Sequence, residues 1–107
     1  MNAGATPFYA DGQLGTVPAN VAAPPTARRT TIKYMAVSNI GGSTETVDVY
    51  VNNGTNRKVA TCTLLTGEWA EVYAGDVQLD LPMSATLKAV TTNATSVNYL
   101  ILGESTS

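Results

Sequence analysis

The chain has 107 residues, a formal net charge of −2 and no histidine. Its acidic balance excludes the electrostatic footprint of a nucleic-acid-binding protein, and the lack of histidine excludes Ser–His, Cys–His and histidine–metal sites. Only 13% of the residues are charged, against roughly 25% in typical soluble domains. A surface this poor in charge suits extensive contact with other proteins.

Residues 1–28 are rich in proline and glycine and show neither the helical nor the strand period. Proline removes a backbone donor and favours extended structure. We therefore predict an extended N-terminal arm over residues 1–28 that adds nothing to the core and binds a partner; a disordered tail is the alternative. The expected anchors of this arm are its apolar residues, Phe8, Tyr9, Leu14, Val17 and Val21.

From Thr30 onward, short runs of β-branched and aromatic residues alternate with turn residues. In residues 45–52, Val47, Val49 and Val51 alternate with polar residues, so one side of this strand faces a core. Asn53-Gly54 predicts a type I′ hairpin turn into a strand over residues 57–65. Further strands are predicted at residues 30–38, 68–74, 77–81, 85–91 and 97–102.

These seven short strands, with turn signals roughly every 8–12 residues, predict an all-β domain over residues 29–107. Its architecture is an antiparallel β-sandwich or a small jelly-roll-like barrel of about seven strands. In strand 30–38 we expect Ile32, Tyr34 and Ala36 to share one face, and in strand 77–81 we expect Val77, Leu79 and Leu81 to point inward.

Two aromatic residues stand out in strand 68–74. Alternation places Trp69 and Tyr73 on the same face as Glu71. Trp69 either caps the core or lies, with Tyr73, at a subunit contact, because such side chains supply large contact area at low entropic cost.

Candidate chemical groups are few. Cys62 alternates with Ala60 and Leu64 and is predicted to be a small core residue, since no base is present to activate its thiol. Glu68, Glu71, Asp76 and Asp80 are close in sequence, but strand alternation and the lack of a D-x-D-x-D-G loop favour a solvated or interfacial face over a glycosidase or calcium site. We expect no enzyme activity, no cofactor and no bound metal.

The sequence shows no recognisable targeting signal. The N-terminus lacks a basic region followed by an apolar run, and no stretch approaches the length of a membrane span. We expect a chain that does not bind a membrane and that is kept in the cytosol or leaves it within an assembly.

The runs SNIGGSTETVDVYVNNGT, LLTGEWAEVYAGDVQLDLP and ATLKAVTTNATSVNYLILGES resemble small virion proteins of tailed bacteriophages. The shared features, over about residues 31–104, are a first strand, a small polar turn, a TVxVYV strand, a TGE turn, an (A)GD-x-(I/L)-x strand and a closing VNxxIxG strand. This is a pattern of strands and turns and not a catalytic motif.

The resemblance implies a capsid decoration (cement) protein made in the host cytoplasm and placed on the virion exterior. Its partner would be the major capsid protein, with the arm bridging neighbouring capsomers. The alternative is a neck, head-fibre or tail protein that acts as a receptor- or carbohydrate-binding module. A folded part of about 79 residues is small, so a homo-oligomer is expected, and the resemblance favours a trimer.

Overall fold

The computed structural model describes residues 6–24 and 28–106. In these residues the chain forms β-strands and no helix, which confirms the predicted all-β class. The strands are β1 (Thr6–Gln13), β2 (Ala19–Ala22), β3 (Arg29–Asn39), β4 (Glu45–Asn52), β5 (Asn56–Leu64), β6 (Trp69–Tyr73), β7 (Leu79–Leu81), β8 (Thr86–Val90) and β9 (Val97–Thr106).

The strands form two antiparallel sheets that pack against each other as a sandwich, one of the two predicted architectures. Sheet A has the order β1-β9-β3-β6, and β7 also pairs with β3. Sheet B has the order β2-β8-β4-β5. The first two strands therefore lie at one edge of the sandwich, and β5 and β6 lie at the opposite edge.

The core lies between the inner faces of the two sheets. Sheet A contributes Ile32, Met35 and Ile101, and sheet B contributes Val47 and Leu87, all with 1% or less of their surface exposed. Fully burying an aliphatic side chain stabilises a fold by about 1.5–3 kcal/mol. The alternating valines of β4 are part of this core, as the sequence predicted.

The N-terminal segment is not a separate arm, so that prediction is wrong for the residues described. β1 pairs with β9 and β2 pairs with β8, while Leu14 and Val21 are buried in the core. Proline and glycine are compatible with these positions because an edge strand needs hydrogen bonds on one side only. The boundary predicted at residue 28 therefore divides strands of one sandwich.

A β-bulge in β3 changes which residues face the core. The pairing with β9 shifts register between Ile32 and Tyr34, so Lys33 is the extra residue and both Ile32 and Met35 point inward. The predicted shared face of Ile32, Tyr34 and Ala36 is wrong for this reason. Gly103 permits the close approach of the two strands, since a Cβ there would lie 2.1 Å from the carbonyl oxygen of Thr31.

The Asn53-Gly54 hairpin is confirmed, but its turn is not type I′. Asn52 pairs with Asn56, which leaves a three-residue loop. Gly54 has a φ of +97°, whereas Asn53 does not have a positive φ, so the two-residue type I′ geometry is absent. The Asn52 side chain fixes the loop by accepting a hydrogen bond from the Gly54 N–H at 3.2 Å.

The strand predicted over residues 77–81 is shorter than expected. β7 begins at Leu79, and Val77 is 61% exposed. The Val77 backbone instead closes a tight turn with Ala74 through two hydrogen bonds of 3.0 Å. Leu81 is fully buried and Leu79 packs against the core, so the prediction of an inward side chain is correct for these two residues and wrong for Val77.

The N-terminal segment should stabilise the domain through Leu14, which is 3% exposed and donates its N–H to the carbonyl of Val97 at 2.9 Å. Leu14→Ala should lower the free energy of unfolding by about 2–5 kcal/mol. Val17→Ala is the control, because Val17 lies three residues after Leu14 on the exposed β1–β2 connection; it should change the free energy of unfolding by less than about 0.5 kcal/mol. Urea unfolding of both variants tests this; equal stabilities would contradict the burial of this segment.

Candidate functional site

The five predicted arm anchors do not form one surface. Leu14 and Val21 are buried, and Phe8 packs half-buried against the core. Only Tyr9 and Val17 are exposed, at 62% and 67%. Three of the five residues therefore stabilise the sandwich, and two remain available for contact with a partner.

Trp69 and Tyr73 point to opposite sides of β6, contrary to the prediction. Met35 pairs with Tyr73 and Ala36 pairs with Glu71, which leaves Val72 as an extra residue. This bulge turns Tyr73 into the core, whereas Trp69 is 63% exposed. A subunit contact at Tyr73 is excluded by its burial; Trp69 does not cap the core.

The outer face of sheet A brings together aromatic and aliphatic side chains from several strands. Tyr9 of β1 lies opposite Leu102 of β9, and Leu102 lies opposite Tyr34 of β3. Leu100 occupies the next outward position of β9. Sequence reasoning missed Leu100 and Leu102, although the alternation in VNYLIL places Asn98, Leu100 and Leu102 on one side.

A groove of about 230 Å³ lies beside Trp69 on the same face. Ser38 pairs with both Trp69 and Asn98, so these three positions form one row across the sheet. Ala36 and Leu100 form the adjacent row. The small side chains on β3 leave space next to the indole ring, and the groove offers a mainly aliphatic and aromatic contact surface.

A second cleft, of about 170 Å³, lies between the sheets where β5 and β6 form the edge of the sandwich. Ala60 and Cys62 line it from sheet B, and Ala70 and Val72 line it from sheet A. Cys62 is half-buried against the core, as predicted. Burial, with a smaller effect of the Asp48 carboxylate, raises the pKa of the thiol. The thiol is therefore not activated as a nucleophile.

A buried carboxylate, which sequence reasoning missed, connects β4 to the β8–β9 loop. Glu45 has no exposed surface. It accepts hydrogen bonds from the Asn93 side chain at 2.6 Å, from the Asn93 backbone N–H at 2.8 Å and from the Thr91 hydroxyl at 2.8 Å. The Asn93 side-chain bond is the largest influence that lowers the pKa of Glu45; burial opposes it without reversing the shift.

The four carboxylates close in sequence do not form a joint site in the structure. Asp80 accepts a hydrogen bond from the Thr31 hydroxyl at 2.7 Å, and Glu68 accepts one from the Leu65 N–H at 2.7 Å. Within residues 6–24 and 28–106, no three His, Cys, Asp or Glu side chains are grouped to hold a metal ion. No helix in the described part of the chain has the length and apolar character of a membrane span.

The free energy of unfolding should depend on pH through the Glu45 carboxylate. Because its pKa is below the ordinary value of 4.5, the stabilisation is complete above pH 4.5 and is lost as the pH falls through the folded-state pKa. Glu45→Gln should be less stable at neutral pH, since an amide cannot accept all three hydrogen bonds, and should show a smaller further loss in acid.

Thermal unfolding between about pH 2 and pH 7 measures this difference. Asp76→Asn is the matched control, because Asp76 is exposed in the turn after Gly75. An acid dependence of Glu45→Gln equal to that of the wild type and of Asp76→Asn would contradict the role assigned to Glu45.

Neither a family model nor a curated protein matches the sequence significantly. The fold is similar to that of a solved structure described as "Bacillus endospore appendages form a novel family of disulfide-linked pili". The TM-score is 0.60 at 14% sequence identity, and the likeness covers 97% of this chain and 87% of that chain. The similarity extends over almost the whole sandwich, including its N-terminal strands, and at this identity it shows the fold alone.

Proposed function

We propose that this chain is a structural subunit that works by surface contact within a larger protein assembly. The observation that supports this role best is the outer face of sheet A, where Tyr9, Leu102 and Trp69 expose 62%, 41% and 63% of their surface. Large aromatic side chains are typical of the centres of protein interfaces. This face lies on a rigid sheet, so little conformational entropy is lost when it binds.

The polar interior supports the same role. Buried Asn39 donates its side-chain amide to the carbonyls of Ser43 and Leu64, at 2.8 and 3.1 Å. Buried Thr30 and Ser105 share a hydrogen bond of 2.7 Å. In the described residues every buried side-chain N or O atom has a partner. These groups fix loops and strand ends, which keeps the outer faces in one arrangement.

The assembly that we propose is a bacteriophage particle, on which the chain decorates the outer capsid shell. The resemblance over about residues 31–104 supports this assignment. Because β1 and β2 belong to the sandwich, the contact with the major capsid protein is assigned to the outer face of sheet A instead of to an N-terminal arm. Bridging neighbouring capsomers adds binding free energy that must be lost before they separate under internal pressure.

A subunit of an extracellular fibre is the second candidate. It is favoured by the fold likeness to the Bacillus endospore appendage, which covers nearly the whole of this chain. The two candidates differ in what the purified chain should bind, since a decoration protein needs a capsid whereas a fibre subunit needs only further copies of itself.

Binding to the capsid should depend on Trp69. Trp69→Ala should weaken co-sedimentation with undecorated particles of the encoding phage by roughly 30-fold, which corresponds to about 2 kcal/mol for a buried aromatic anchor. Val77→Ala is the control, because Val77 is also exposed but lies on the β6–β7 connection. If the wild type fails to co-sediment, the capsid assignment is wrong; if Trp69→Ala binds like the wild type, the assigned face is wrong.

If the chain decorates a capsid, we expect no disulfide bond between its copies. The chain has a single cysteine, and Cys62 is half-buried in the cleft between the sheets with a raised thiol pKa. The mass on a denaturing gel should therefore be that of the monomer with or without reductant, and Cys62→Ala should assemble like the wild type. A reductant-sensitive species of twice the monomer mass would favour the fibre candidate.

A further inference from the structure

The two outer faces of the sandwich carry charge of opposite sign. Strand register assigns to the outer face of sheet A four carboxylates and two cations, Asp11, Glu71, Asp80, Glu104, Arg29 and Lys33. The outer face of sheet B carries one carboxylate, Asp48, and two lysines, Lys58 and Lys88. Arg57 adds a further cation at the β4–β5 hairpin end. The chain as a whole is acidic, so the excess of positive charge on sheet B is a local feature.

Ion pairs within each face do not cancel this difference. On sheet A, Lys33 pairs with Glu104. Asp11 and Asp80 accept hydrogen bonds from the hydroxyl groups of Tyr9 and Thr31 and form no ion pair within residues 6–24 and 28–106. On sheet B, Lys58 pairs with Asp48 at 3.5 Å. Lys88 forms no ion pair in the described residues. Sheet A therefore retains uncompensated carboxylates and sheet B retains an uncompensated lysine.

Each outer face has a row, running across its strands, in which charged side chains stand next to apolar or aromatic ones. One row across sheet A places Asp11 and Glu71 on either side of Leu100 and Ala36. One row across sheet B places Asn20, Lys88, Tyr50 and Lys58 side by side. Strands lie about 4.8 Å apart, so the two rows have similar widths. Each row combines charged groups with an apolar surface between or beside them.

We propose that the outer face of sheet A binds the outer face of sheet B of a second copy of this chain. The principal extents of the molecule are 50 × 28 × 20 Å, which gives a broad face enough area for the roughly 800 Å² per partner of a standard interface. Because the two contacting surfaces differ, the interface is heterologous, and each copy keeps one free face for the next. The inference rests on the proposed role as a structural subunit and agrees with its fibre candidate, because the outer face of sheet A cannot bind a capsid and a second copy at the same time.

Two charge reversals test the interface. Lys88→Glu makes the face of sheet B acidic, and Glu71→Lys reduces the acidity of sheet A. Each variant alone should self-associate roughly tenfold or more weakly than the wild type in analytical ultracentrifugation, because like charges then face each other. An equimolar mixture should recover association, since each variant retains one native face that the other can bind. Asp76→Lys carries the same change of charge as Glu71→Lys in the exposed β6–β7 turn and should associate like the wild type.

Circular dichroism of every variant shows whether a variant that no longer associates is still folded. A wild type that stays monomeric at high concentration, or a mixture that does not associate better than its components, would overturn the proposal. Stronger self-association of Glu71→Lys alone would do so too. If the chain is monomeric but co-sediments with capsids, the interface between copies is wrong and the capsid role stands. If the chain self-associates but does not bind capsids, the capsid role is wrong and the interface stands.

Discussion

The antiparallel pairing of β3 with β9 is the contact on which the rest of sheet A depends. It joins ten residue pairs and places β9 between β1 and β3. The bulge at Lys33, accommodated by Gly103, rotates the N-terminal part of β3 so that both ends of this strand bury apolar side chains. The same rotation determines which side chains reach the outer face, so the candidate interface follows from the backbone geometry of one strand pair.

Hydrophobic alternation was sufficient to predict the seven strands between residues 29 and 106, because a strand with one buried face must alternate. It failed for β1 and β2. Their proline and glycine content is typical of loops, and an edge strand tolerates such residues because only one side of it is hydrogen-bonded. Bulges were also missed, since an extra residue such as Lys33 or Val72 has no side-chain signature of its own.

The candidate interface was only partly predictable for a related reason. The sequence indicates that Tyr9 and Trp69 are contact residues because they are aromatic. Their position on one face depends on the strand order of sheet A, in which β1 pairs with β9 from the other end of the described chain. The burial of Glu45 depends on Thr91 and Asn93, 46 and 48 residues away. A glutamate at the start of a strand gives no local indication that its carboxylate will be enclosed.

The order in which the strands are made has a consequence for synthesis in the cell. The first strand pairs with the last one, from Thr6 opposite Ser105 to Gln13 opposite Asn98, and β3 also waits for β9. Loop closure over so many residues is entropically costly and slows folding. Sheet A therefore cannot form until β9 has left the ribosome, and a chain that lacks β9 exposes unpaired strand edges that are prone to aggregate.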